Sequence, residues 1–212
     1  MSDIVAMGGF PDKKLWDYVL EQAGGESVLV DHAASPDYAE HLPLERRGDF
    51  THFSFYPWPP DDLREQALAS NAILVCGGNT ANMLAIWRVY GFDRVLREAW
   101  EAGVVLCGWS AGMICWFEAG VTDSFGPQLE GMRDGLAFLP GSACPHYDGE
   151  ELRRPVYQRL VEDGFPPGIA ADDPVGLHYR GTELAETVTG HEGTTAYRVE
   201  PGSETALEAR LL

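Results

Sequence analysis

Ser110 stands in the segment Gly108-Trp109-Ser110-Ala111-Gly112, directly after the apolar run Gly103-Val104-Val105-Leu106-Cys107. A buried strand that breaks into a G-x-S-x-G turn pushes the serine hydroxyl clear of the backbone. Glycine on either side removes the Cβ atoms that would crowd the bend. The pattern predicts a helix over 111–119, whose first N–H groups would face the place where an oxyanion forms. Ser110 therefore reads as a nucleophile for acyl transfer, with the N–H of Ala111 as an oxyanion donor. A second glycine turn, Gly77-Gly78-Asn79, ends the run Ala72-Ile73-Leu74-Val75-Cys76. Ligands gather beyond the C-terminal ends of parallel strands. If these two strands are neighbours, the N–H of Gly78 joins that of Ala111, and each such donor is worth about 3–4 kcal/mol in a transition state. Asn79 is placed to orient substrate or to brace the loop.

A serine nucleophile needs a base, commonly a histidine held by a carboxylate. Of the six histidines, His32, His41 and His52 precede the serine turn and His191 lies in a polar C-terminal turn, so these read as surface or packing residues. His146 lies in Ser142-Ala143-Cys144-Pro145-His146-Tyr147-Asp148, where Pro145 biases its predecessor toward extended backbone. His178, in Val175-Gly176-Leu177-His178-Tyr179, reads as a structural strand histidine. It offers an alternative all the same, because an esterase of the α/β-hydrolase type would use it with Asp172 or Asp173, in the order Ser, Asp, His. Against that, no H-G-G-G-type loop precedes the serine. The acid is read as Asp123, in the turn-like Val121-Thr122-Asp123-Ser124-Phe125, with Glu118, Glu130, Asp134 and Asp148 also near in sequence. Nothing resembles H-E-x-x-H or a zinc cluster, so the chemistry is expected to need no metal and no organic cofactor.

Strand and helix alternate through the first 120 residues. Strands are predicted at 3–7, 26–31, 50–56, 72–76 and 103–107, with helices at 12–23, 36–47, 59–69, 81–90 and 92–102. A loop-rich stretch follows as far as His146, then a helix over 150–162. Short strands come at 168–171, 174–179, 183–188 and 194–200. Near-continuous apolar strands indicate burial on both faces. The expected fold is α/β, a mostly parallel sheet sandwiched by helices, with antiparallel C-terminal strands at one edge and a single domain over 1–212.

The chain has 212 residues, 45% of them hydrophobic, enough for one sizeable core. Its net charge of −18 argues against nucleic acid and against anionic membranes, and it also disfavours anionic substrates unless the pocket is locally positive. The longest apolar stretches are strand-length, and no export signal is visible at the N-terminus. Cys76, Cys107, Cys115 and Cys144 form no C-x-x-C pair and read as reduced structural thiols, which fits a cytoplasmic protein. Monomer and homodimer are both open.

Cys76-Gly77-Gly78-Asn79-Thr80, the G-W-S-A-G turn, Thr122-Asp123-Ser124 and Pro145-His146-Tyr147-Asp148 together resemble the peptidase E family. These serine peptidases include aspartyl dipeptidase and, more distantly, cyanophycinase. The motifs run from about Ile73 to Tyr157. The resemblance implies a fold similar to the class I glutamine amidotransferases, with serine in place of the usual cysteine. It also implies Ser110 as nucleophile, His146 as base, and Gly78 and Ala111 as oxyanion donors. The family's acid follows the serine turn, close to Asp123, and cyanophycinase-like relatives use glutamate. Aspartyl dipeptidases read an N-terminal aspartate with an arginine downstream of the histidine; Arg153 lies near that position, although Pro155 departs from their pattern. A guanidinium suits a carboxylate through paired hydrogen bonds. The implied activity is hydrolysis of small peptides through a Ser-His-Asp triad, of dipeptidase or aminopeptidase type, with N-terminal aspartate as a candidate preference. The competing reading is an amidotransferase-like domain that binds a ligand without catalysis.

Overall fold

In the computed structural model, residues 2–35 and 48–212 are described. The helix expected over 36–47 lies outside them. β1 (Asp3–Met7), β2 (Ser27–Asp31), β3 (Asp49–Phe53), β4 (Ala72–Val75) and β5 (Val105–Trp109) run parallel in the order β1-β5-β4-β2-β3. The two strands that carry the glycine turns are therefore neighbours, with Val75 opposite Gly108. Beyond β1, β10 (Val175–Arg180) and β11 (Glu183–Thr189) add antiparallel, and β14 (Ala209–Leu211) closes that edge. Alternate side chains serve two cores. Ile4, Ala6, Leu29, Ile73 and Leu106 face one, while Val5, Met7, Val28, Leu74 and Cys107 face the other. That two-sided burial is why the strands read as unbroken apolar runs.

α1 (Lys13–Ala23) covers one face with Leu15, Trp16, Val19 and Leu20, and the Asp12 carboxylate caps it by accepting the Leu15 N–H at 2.8 Å. α2 (Leu63–Ala69), α3 (Thr80–Tyr90) and α4 (Phe92–Glu101) cover the other face. Among the described residues, no helix is long and apolar enough to cross a membrane.

The helix expected over 111–119 is only one turn, α5 (Ala111–Ile114), and the chain then enters β6 (Phe117–Thr122). Phe117, Ala119 and Val121 are buried and Glu118 is exposed, yet the neighbouring glycine and threonine are buried too. Such a short, nearly all-buried run carries no period that separates strand from helix. β6 opens a second sheet, ordered β13-β12-β9-β8-β6-β7, with β7 (Glu130–Met132), β8 (Leu139–Cys144), β9 (Gly168–Ala171), β12 (Ala196–Glu200) and β13 (Ser203–Ala206). The stretch expected to be loop thus holds the end of β6 and all of β7 and β8, and two of the expected edge strands, β9 and β12, belong to this second sheet. Its Phe117, Leu139, Ala143 and Ile169 join the core of the first sheet, while Val121, Cys144 and Ala170 pack under α6 (Arg153–Glu162) through Tyr157 and Val161. All four cysteines are buried and free.

Candidate active site

The bend at the end of β5 is tight. Ser110 adopts φ 56° and ψ −112°. A Cβ on Gly108 or Gly112 would run into the Val75 carbonyl of β4, which explains glycine on both sides of the serine. The Ser110 N–H donates to the Met7 carbonyl at 3.2 Å, so the end of β1 holds the bend from the other flank. Because α5 has only four residues, little helix dipole adds up behind the serine. An oxyanion there would rely on the Ala111 N–H itself.

The neighbouring turn is built to a similar standard. Gly78 has φ +137°, and a Cβ on it would overlap the Ala34 carbonyl, which also accepts the Asn79 N–H at 2.8 Å. Asn79 braces the loop at both ends of its side chain. Its Oδ1 accepts the Asn82 N–H at 2.9 Å, capping α3, and its Nδ2 donates to the Ser124 carbonyl at 2.9 Å. Beneath lies Asp31, 1% exposed, whose carboxylate accepts the Ala33 N–H at 2.9 Å and the Trp87 indole N–H at 2.8 Å. Burial pushes its carboxyl up to about 7, against the lowering effect of those two donors.

His146 follows β8 with φ 54°, and its N–H donates to the Gly8 carbonyl at 3.3 Å. Successive carbonyls at the end of β1, Met7 and Gly8, therefore anchor the backbones of Ser110 and His146. Three described non-glycine residues have positive φ, and two of them are Ser110 and His146. Such conformations cost on the order of 1–3 kcal/mol each and gather at functional sites. The His146 Nδ1 lies 2.9 and 3.1 Å from the two carboxylate oxygens of Asp173. With Nδ1–H donating there, Nε2 is the nitrogen left to serve as base. Asp173 is held in turn, its N–H donating to Asp148 Oδ1 at 2.8 Å. A Cβ on Gly9 would overlap the Asp173 carboxylate, so the Gly8-Gly9 turn makes room for the pair.

The carboxylate on His146 is thus Asp173, not Asp123. The reason is topological. β8 and β9 are parallel neighbours, and the Tyr147 N–H donates to the Ala171 carbonyl at the end of β9, so the turn after β9 arrives beside His146. β6 carries Asp123 instead toward α3, where Thr122 and Ser124 tie its turn down. Asp123 lines a cleft of about 280 Å³ together with Gly78, Asn79, Ser110, Glu150 and Arg153. In sequence order Asp173 is available to His178; the β8–β9 pairing places it on His146 instead. A second cavity of equal volume, walled by Phe117, Ile169, Tyr179 and Arg198, has no serine, cysteine or histidine in its lining.

Arg153 reaches the cleft, but its guanidinium is engaged. Nε donates to Glu150 Oε2 at 2.7 Å, one terminal nitrogen donates to the Val121 carbonyl at 2.9 Å, and the other to Glu150 Oε1 at 3.4 Å. His178 is fully buried on β10, with Nδ1 2.6 Å from the Tyr18 hydroxyl and Nε2 3.7 Å from Asp3. The esterase arrangement has no geometry here, since Asp173 faces His146 and His178 is out of solvent's reach.

Residues 29–187 match peptidase family S51. The chain is 42% identical over 214 residues to YgaJ of Bacillus subtilis, described as an uncharacterized peptidase, covering 94% of this chain and 92% of the other. It is 29% identical over 133 residues to a peptidase E of Shewanella amazonensis, covering 58% of this chain and 56% of that one. Among solved structures, a peptidase from an acI-B1 actinobacterium superposes with a TM-score of 0.66 over 99% of this chain and 95% of the other. At 14% identity that likeness concerns the fold alone.

Proposed function

This chain belongs to peptidase family S51, and from that premise we propose that it is a serine peptidase acting on small peptides through Ser110, His146 and Asp173. The observation that carries the reading is the shared anchorage at the end of β1, where Met7 and Gly8 hold the serine and the histidine while Asp173 grips the histidine from behind. Ser110 Oγ attacks the peptide carbonyl and its proton passes to His146 Nε2. The negative carbonyl oxygen then turns to the N–H groups of Gly78 and Ala111. His146 returns the proton to the leaving amine, and water, activated by the same imidazole, resolves the acyl-enzyme. Asp173 stabilises the imidazolium and fixes its tautomer. Every step runs on side chains and backbone of this chain.

Substrate choice is the finer part of the proposal. The dipeptidase-type reading puts one residue of substrate in the cleft beside Ser110. An N-terminal aspartate would meet Arg153 with Glu150 already on it and with Asp123 on the same cleft, which lends the aspartate preference less support than the arginine alone would give. The test is a fluorophosphonate probe followed by a dipeptide panel. The reading expects an adduct on Ser110, absent in Ser110→Ala and His146→Ala, and hydrolysis of free dipeptides. Well-folded protein with no adduct and no hydrolysis would favour the ligand-binding domain. Comparing Asp-X with Ala-X dipeptides before and after Arg153→Ala decides the aspartate preference, and equal rates throughout would remove it.

A further inference from the structure

The Thr122-Asp123-Ser124 triplet is a clamp around one unused charge. Thr122 Oγ1 lies 2.7 Å from Ser124 Oγ and accepts the Ser124 N–H at 3.2 Å. Ser124 Oγ accepts the Ala81 N–H at 3.2 Å, and its carbonyl accepts from Asn79 Nδ2 at 2.9 Å. The outer two residues thus pin the turn to the first turn of α3, beside the loop that carries Gly78. Asp123, between them, lines the cleft with Ser110 and Gly78. Its carboxylate has no hydrogen-bond or ion-pair partner among the described residues. Of the other charged residues lining this cleft, Arg153 and Glu150 satisfy each other. One uncompensated negative charge is left on the wall of the cleft, and it belongs to Asp123.

An exposed carboxylate is ordinarily just solvated. What sets this one apart is where its turn is pinned. When a peptide carbonyl oxygen faces the N–H groups of Gly78 and Ala111, the nitrogen of the same residue is only one carbon away from the carbonyl carbon. A substrate seated this way brings that nitrogen into the cleft that Asp123 lines. We propose that Asp123 is the residue that receives the free α-ammonium of the substrate's first residue; the proposal rests on the serine peptidase reading above. An ammonium brings three donors to a carboxylate and gains a charge-assisted hydrogen bond. An acylated or internal residue would place a neutral amide there and strip water from Asp123 without pairing its charge, which disfavours binding.

The test uses two covalent probes on the full chain, the diphenyl phosphonate analogue of alanine with a free amine and its N-acetyl counterpart. Each phosphonylates a nucleophilic serine with loss of phenol. The free-amine probe is expected to label Ser110 at least about tenfold faster than the acetylated one, the ratio a charge-assisted hydrogen bond commands. In Asp123→Asn that ratio should collapse toward one, and in Asp123→Glu it should be largely kept. Equal labelling by both probes in the parent protein, or a ratio that survives Asp123→Asn, overturns the role of Asp123 while leaving the peptidase reading in place. If neither these probes nor a fluorophosphonate labels Ser110, the peptidase reading falls and the ammonium site falls with it. Because Asp123 is exposed and its turn is held by Thr122 and Ser124, the variants are expected to fold, and their melting curves check that.

Discussion

Two histidines in this molecule sit beside carboxylates, and their surroundings are opposite. His146 lies in the loop after β8, its side chain 19% exposed, with both oxygens of Asp173 on Nδ1. His178 lies in the middle of the main sheet with none of its side chain exposed. Its Nδ1 meets the hydroxyl of Tyr18, which donates to Glu186, and its Nε2 stops 3.7 Å short of Asp3. Burial lowers the pKa of His178. A carboxylate neighbour is therefore not what makes a histidine a base. The second nitrogen must also face a place that substrate can enter, and the backbone must be held where the nucleophile is. The His146 backbone is held beside that of Ser110 by the neighbouring carbonyls of Gly8 and Met7, whereas His178 sits in a regular strand out of solvent's reach.

The sharpest way to break this contrast is to remove each ring in turn. His146→Ala should lower kcat by about 10⁶, as loss of a triad base does, with little change in melting temperature. His178→Ala should do the reverse. It empties a core site and removes one of the two partners of the Tyr18 hydroxyl, for a loss of about 2–4 kcal/mol in unfolding free energy measured by denaturant titration. If His178→Ala abolished turnover in protein that stayed folded, the contrast would be wrong.

A smaller effect concerns pH and stability. His178 and His32 both have folded pKa values below the ordinary one, His32 at about 4 through burial and its stacked neighbour His52. The unfolded chain takes up protons on these rings near about 6.5. Their contribution to stability is thus complete above that pH and is lost as pH falls through their lowered folded values, about 4 for His32. Asp31 works against them. Its folded carboxyl is raised to about 7, so between about 4 and 7 the native state holds the extra proton and stability falls as pH rises. The opposing slopes should flatten the wild-type profile. In Asp31→Asn, melting temperature should drop more steeply between pH 6.5 and 4.5 than in the parent protein, and parallel profiles would refute this assignment.

How much of this was legible in the sequence depended on the range of the interaction. The strand before Ser110, the glycine turn at Gly78 and the boundaries of α3 and α4 are local features, written in apolar runs and in glycines that leave no room for a Cβ. The second sheet was not legible, because Phe117–Thr122 is short and almost wholly buried, and β7 and β8 are three and six residues long. The carboxylate beside His146 was not legible for a related reason. Asp173 is 27 residues from His146 in the chain, and only the pairing of β8 with β9 brings it there. Asp123 lies closer in sequence to the family's pattern and lines the cleft, but the carboxylate that pairs with His146 is Asp173.

The central claim is that Asp173 orients His146, and comparing two single substitutions tests it most directly. The rate of Ser110 phosphonylation by a neutral fluorophosphonate, which carries no ammonium, should fall by on the order of 10³–10⁴ in Asp173→Asn, the effect of turning a triad acid into an amide. The loss in Asp123→Asn should be far smaller. If Asp123→Asn instead lost the larger factor while Asp173→Asn labelled at nearly the parent rate, the triad proposed here would be contradicted.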